Sequence, residues 1–212
     1  LLRIRAALRA TSIAEYYREK GKQVLLIMDS LTRVAHAQRE IGLALGEQAT
    51  TKGYPPSVMA LISHLVERTG PGSKDEGSIT SFYTILADGD DVNDPVVDSA
   101  KAILDGHIVL SRQLAEMGVY PSIDIASSIS RVMNQIVDET HINAAVSFKR
   151  AMAIYMENRD LIMMGGYKPG TDNALDRSIE IFPKLTSYQI QNSNQPSTFS
   201  ESKTNLIQTF SA

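Results

Sequence analysis

Apolar positions along the chain alternate between two periods. Over residues 1–20, Ile4, Ala7, Leu8, Ile13 and Tyr17 recur at roughly the 3.6-residue spacing of a helix, which Gly21 ends. The run Gln23-Val24-Leu25-Leu26-Ile27-Met28 is then almost continuously apolar and predicts a strand buried on both faces, as in parallel sheets under helices. A helix of about 31–46 follows, stopped by Gly46 and residues 50–53. Pro56 suits the first turn of a helix reaching about 66. Residues 70–77 read as a flexible polar loop, 79–86 as a second strand, and 87–95 as an acidic loop. A short helix leads to a third strand at 106–110, then a helical turn or two at 111–117 and a loop at 118–124. From about 140 to 164 the pattern is helical, Gly165-Gly166 breaks it, and 172–181 gives another short helix. After Tyr188 the chain is rich in Ser, Asn, Gln and Thr, a composition that predicts disorder.

Strands alternating with helices predict an α/β fold with a mostly parallel sheet flanked by helices. The last third predicts a small all-helical subdomain. The expected division is 1–138, then 139–188, then a disordered tail over 189–212.

Composition narrows the function. At 212 residues the chain can bury a sizeable core, and its net charge of −3 argues against a dedicated nucleic-acid surface. Without cysteine it holds neither a disulfide framework nor a thiolate metal site, and His36, His64, His107 and His141 show no ligand spacing. No apolar stretch reaches the ~18 residues that would span a bilayer, and the opening Leu1-Leu2-Arg3-Ile4-Arg5 is unlike a signal peptide. The expectation is a soluble cytoplasmic protein. The start without methionine suggests a piece of something longer.

Candidate chemistry gathers at loop positions. Asp29 stands at the carboxyl end of the first strand, where open α/β sheets place ligands, and Arg33 lies one helical turn further on. Asp29 reads either as a nucleotide-metal ligand or as the cap of the next helix. Arg131 follows Ser128-Ile129-Ser130, and a lone arginine is ordinarily surface solvation or an ion pair. Tyr120, in Gly118-Val119-Tyr120-Pro121, could stack on a base or simply pack its turn. Residues 39–47 carry an apolar stripe flanked by small residues, which a helix packed on the sheet would also show.

The order of the motifs is more specific than any one of them. Asp29-Ser30-Leu31-Thr32-Arg33, Ala37-Gln38-Arg39-Glu40, Lys52-Gly53-Tyr54-Pro55-Pro56-Ser57, Leu65-Val66-Glu67-Arg68, Gly77-Ser78-Ile79-Thr80 and Gly89-Asp90-Asp91 succeed one another. Then come residues 104–112, Tyr120-Pro121-Ser122-Ile123-Asp124 and Ser130-Arg131. Together they resemble the rotary-type, RecA-like ATPases, and within them the flagellar protein-export ATPases, with the virulence type III secretion ATPases as siblings. The resemblance covers residue 1 to about 185. It implies ATP and Mg²⁺, the cation held by the Walker B aspartate Asp29 through water. Arg33 would face the γ-phosphate, and Arg131 would be an arginine finger reaching the neighbouring subunit's site. Tyr120 would stack on adenine, with Tyr167 in the region of a second adenine wall. Residues 39–47 would face the central pore and a stalk. The implied assembly is a homo-hexamer working with stalk and regulator proteins, export cargo and chaperones, peripheral at the membrane export gate and without nucleic acid.

The chain departs from that family in containing no Gly-x-x-x-x-Gly-Lys-Ser/Thr; Gly70-Pro71-Gly72-Ser73-Lys74 is only a superficial echo. The phosphate loop and the water-polarising glutamate are expected upstream of Leu1, so these 212 residues alone are expected to be inactive. The competing expectations are a virulence secretion ATPase, a non-catalytic subunit of a rotary-type ring, and a RecA-like nucleic-acid motor, which the acidic balance disfavours.

Overall fold

The computed structural model describes residues 1–87 and 94–210, in two compact units, Leu1–Leu104 and Asp105–Ala212. The acidic motif at 89–91 lies outside the described residues.

In the first unit, α1 (Leu2–Glu19) buries Ile4, Ala7, Thr11 and Ala14 along one face, and Gly21 follows it at φ 74°. Strand β1 (Gln23–Met28) pairs in parallel with β3 (Ser78–Tyr83), in register from Gln23 opposite Ser78 to Met28 opposite Tyr83. The two-residue β2 (Gly70–Pro71) adds an antiparallel edge to β3 inside the segment expected to be loop. Gly77 lies against the backbone at the start of β1: a Cβ there would stand 1.8 Å from the Lys22 carbonyl oxygen. Helices α2 (Leu31–Ala44), α3 (Pro56–Glu67) and α4 (Pro95–Ile103) complete the unit, with Pro56 in the first turn of α3. Leu31, Val58, Ile62, Leu65 and Ala100 are fully buried in its core.

The burial of β1 corrects the expectation of a strand covered on both faces. Val24, Leu26 and Ile79 pack under α1, through Ala10 and Ala14. On the other face Leu25, Ile27 and Phe82 remain 60%, 67% and 54% exposed. An apolar run fixes a strand but not how many of its faces are covered.

The second unit opens with β4 (Gly106–Leu110), which pairs antiparallel with β5 (Ile123–Ser130) as a separate two-stranded sheet. Short α5 (Arg112–Glu116), capped by Ser111, lies between them. After α6 (Met133–Ile136), α7 (Glu139–Met163) is capped by Asp138 and α8 (Asn173–Gln189) by Asp172. Helix α8 runs on through Pro183, well past the expected end at 181. The expected disordered tail instead carries α9 (Phe199–Phe210). Leu206 of α9 is buried with Phe148, Met152 and Leu185, a burial that ties down an otherwise polar segment.

Candidate nucleotide site

Parallel pairing decides which residues meet at the rim. Met28 and Tyr83 are the last register partners of β1 and β3, so Asp29 and Thr84 emerge side by side although 55 residues separate them. Thr84 donates from its backbone N–H to the Met28 carbonyl (3.1 Å) and accepts at its own carbonyl from the Leu31 N–H (3.0 Å). Its hydroxyl donates to Asp29 Oδ1 at 2.7 Å. The peptide joining Asp29 to Ser30 is cis.

Capping of α2 falls to Ser30, not to Asp29. Ser30 is buried in extended conformation, and its hydroxyl accepts from the Arg33 N–H at 3.4 Å. The aspartate is thereby left exposed at the carboxyl end of a parallel strand, with Arg33 exposed in the first turn of α2. Behind them, Thr32 accepts from the Leu86 N–H at 2.9 Å and anchors the chain leaving β3.

The next part of the unit is interlocked by polar contacts. The His36 ring lies 3.1 Å from the Tyr54 hydroxyl, and the Arg39 guanidinium sits over the Tyr54 ring, 5.1 Å from its centroid. Gln38 donates to the Ser57 hydroxyl at 3.0 Å, and Glu47 accepts from the Ser57 N–H at 3.3 Å. These bonds hold the carboxyl half of α2 against the Lys52–Ser57 motif. Leu43 and Leu45 stay exposed.

Arg68, the end of another motif, is structural. Its Nε donates to Glu15 Oε1 at 2.7 Å, its Nη2 pairs with Glu15 Oε2, and the same Nη2 donates to the Ser12 hydroxyl at 2.8 Å. The hydrogen bond from Arg68, with its charge, holds the Glu15 carboxyl below its ordinary range.

In the second unit, Arg131 follows β5 directly and is exposed, its backbone N–H donating to the Asp105 carbonyl at 2.8 Å. Close chain approach makes that geometry possible: a Cβ on Gly106 would stand 2.5 Å from the Ile129 carbonyl oxygen. Lys149 of α7 donates to the Ser128 carbonyl at 2.6 Å and braces the same strand end. Tyr120 is 56% exposed beside buried Val119, its carbonyl accepting from the Gln191 N–H at 2.8 Å. The Tyr120–Pro121 peptide is cis. Tyr167 is half-buried and turned to the start of α8, its hydroxyl donating to Asp176 Oδ1 at 2.8 Å. Withdrawal from water and that carboxylate raise the Tyr167 hydroxyl above its ordinary value.

Of the five expected site residues, Asp29 and Arg33 share one rim of the first unit, while Tyr120, Arg131 and Tyr167 belong to the second. Thr84 and Ser30, which arrange the Asp29 turn, were not among the expected site residues. Ser30 had a local signal in its position just ahead of an apolar-periodic run; Thr84 had none.

Among the described residues, no group of three or more His, Cys, Asp or Glu side chains is placed to hold a metal ion. A metal that arrives with phosphates needs no such cage. Mg²⁺ keeps several waters and is commonly held by one or two carboxylates plus substrate phosphates, a role the exposed Asp29 fits. Nor is any helix among the described residues long and apolar enough to cross a membrane.

Comparison with known proteins extends these observations. The model of the ATP synthase alpha/beta family, nucleotide-binding domain, matches residues 1–130, and that of the type III secretion EscN ATPase C-terminal domain matches 137–208. The flagellum-specific ATP synthase of Pseudomonas aeruginosa is 52% identical over 206 residues, 97% of this chain and 46% of that protein. Its counterpart in Salmonella typhimurium is 55% identical over 188 residues, 89% of this chain and 41% of that protein. The chain thus spans less than half the length of these relatives. The assembled type III secretion ATPase EscN of enteropathogenic E. coli superposes with a TM-score of 0.91 at 44% identity, over 96% of this chain and 49% of that one. EscN in complex with its central stalk EscO gives 0.85 at 42% identity, over 97% of this chain and 49% of that one.

Proposed function

Since the chain belongs to the ATP synthase alpha/beta nucleotide-binding family, we propose that it is the carboxyl-terminal part of an ATP-hydrolysing subunit that energises flagellar type III protein export. One observation carries the reading: an exposed carboxylate stands at the carboxyl end of a parallel strand, fixed by Thr84 and relieved of capping duty by Ser30. That is where α/β sheets bind ligands. The flagellar names of the relatives at 52% and 55% identity favour flagellar over virulence export.

In this reading Asp29 holds Mg²⁺ through water and Arg33 faces the phosphates. Bound with the nucleotide, the cation supplies charge neutralisation across the phosphate oxygens. Tyr120 offers its exposed ring to adenine, while Tyr167, fixed by Asp176, forms a more rigid second wall. Arg131 enters the site of the neighbouring protomer of a homo-hexamer, where its permanently charged planar fork stabilises the charge spread over the transferring phosphoryl group. A finger supplied in trans is worth about 10³–10⁵ in rate, so a lone subunit has half a catalytic site. Residues 39–47 face the central pore and its stalk. Regulator proteins, chaperones and cargo complete the assembly, cytoplasmic and peripheral at the export gate. The net charge of −3 suits protein partners rather than nucleic acid.

The test is complementation in the full-length protein. Asp29→Asn and Arg131→Ala should each abolish ATP hydrolysis, with Arg131→Ala still binding nucleotide. Mixing the two inactive variants should restore part of the turnover, because some interfaces then pair an intact Asp29 with an intact Arg131. Absence of recovery in mixed assemblies that demonstrably form would overturn the shared site. A parent protein without turnover would favour the non-catalytic ring subunit.

A further inference from the structure

We propose that Thr84 is a positioning residue for the metal-bearing carboxylate, selecting the orientation in which Asp29 meets Mg²⁺. The inference rests on the nucleotide reading above and deepens it. Register alone would bring residues 29 and 84 together, and the backbone bonds from Thr84 to Met28 and Leu31 suffice to fix the turn. The hydroxyl is therefore not needed to bring the two residues together, yet it donates at 2.7 Å to Asp29 Oδ1.

An exposed aspartate without such a donor samples several rotamers and can swing its two oxygens through a broad torsional range. The Thr84 hydroxyl removes that freedom. It occupies one of about four acceptor sites on the carboxylate and consumes only a lone pair of Oδ1. Among the described residues Oδ2 accepts no hydrogen bond and is left for the water shell of a cation. Threonine is well suited to the task. Its β-branching stiffens χ1, so the donor itself is held in place. Donors to metal-ligating side chains commonly carry about 10–100-fold in metal affinity or activity. Because this bond is exposed and Asp29 meets the cation through water rather than directly, the low end of that range applies.

The experiment uses the full-length protein and binding rather than turnover as its readout. The affinity of a fluorescent ATP analogue is followed as Mg²⁺ is titrated, for the parent, Thr84→Val, Thr84→Ser and Asp29→Asn. Thr84→Val, which keeps the bulk and the backbone bonds, should need about ten-fold more Mg²⁺ to reach the same nucleotide affinity. Thr84→Ser should return close to the parent, while metal-free nucleotide affinity and melting temperature stay unchanged in both. Should valine disturb the fold, Thr84→Ala removes the same hydroxyl without that bulk, with the same expected shift. An unmoved Mg²⁺ midpoint in a folded Thr84→Val or Thr84→Ala protein, with Asp29→Asn insensitive to Mg²⁺, overturns the positioning role alone. If Asp29→Asn itself keeps the parental Mg²⁺ dependence, the nucleotide reading falls and this inference with it.

Discussion

Glu15 and Arg68 show how a recurring motif residue can serve the scaffold rather than the chemistry. Their two-point contact joins the last turns of α1 to the end of α3, and Arg18 adds a 3.0 Å bond to the Arg68 carbonyl. Folded Glu15 titrates below its unfolded value, so the contribution of the pair is complete above the unfolded carboxylate range. It is lost as pH falls through the lower, folded value. Glu15→Gln should accordingly cost about 1 kcal/mol at neutral pH and converge with the parent in acid. Urea midpoints across that range provide the check, and a pH-independent gap would refute the linkage. At this scale the sequence was legible where the logic is local. Asp29 and Arg33 lie in one short string and could be read together. Thr84 meets Asp29 only through the pairing of distant strands, which the string does not display.

Elements were legible where one period dominates, and less so where cues conflict. Helix α3, announced by Pro56, starts as expected. Strand β5 carries no clear sequence signature because Ser127, Ser128 and Ser130 dilute its apolar alternation and its exposed half resembles a loop. Helix α9 hid inside a polar tail, although Thr198 and Glu201 form a reciprocal capping pair at its start: the Glu201 N–H bonds Thr198 Oγ1 at 3.2 Å and the Thr198 N–H bonds Glu201 Oε2 at 2.8 Å. Composition suggested disorder, but the cap and the apolar positions Leu206, Ile207 and Phe210 specified a docked helix. The parallel pair has its own point of sensitivity. At Gly77 any side chain would meet backbone atoms of Lys22, which cannot swing aside as a side chain could. Gly77→Ala should destabilise the first unit by about 3 kcal/mol, measured by chemical denaturation; a neutral effect would mean that β1 and β3 separate easily at their start.

For the whole molecule, the chain groups into the compact units Leu1–Leu104 and Asp105–Ala212, which places β4 and β5 with the helices that follow them. The β4–β5 hairpin joins the helices because Gln189 of α8 donates to the Ile123 carbonyl and Lys149 of α7 to the Ser128 carbonyl. Such ties depend on tertiary packing, which no local window reveals. The 212 residues also hold no phosphate-cradling glycine-lysine motif. Calorimetry on this chain by itself should therefore detect no micromolar MgATP binding; such binding would mean that a segment without the glycine-lysine motif cradles the phosphates. Ser30's hold on the Arg33 N–H has a last consequence, for inherited variation. Because folding of α2 draws on the serine and not on its neighbour, an Asp29 allele should escape quality control and accumulate at full dosage as a silent protein. A Gly77 allele should be cleared by proteolysis. Two lesions with the same phenotype would then be told apart by abundance on a blot.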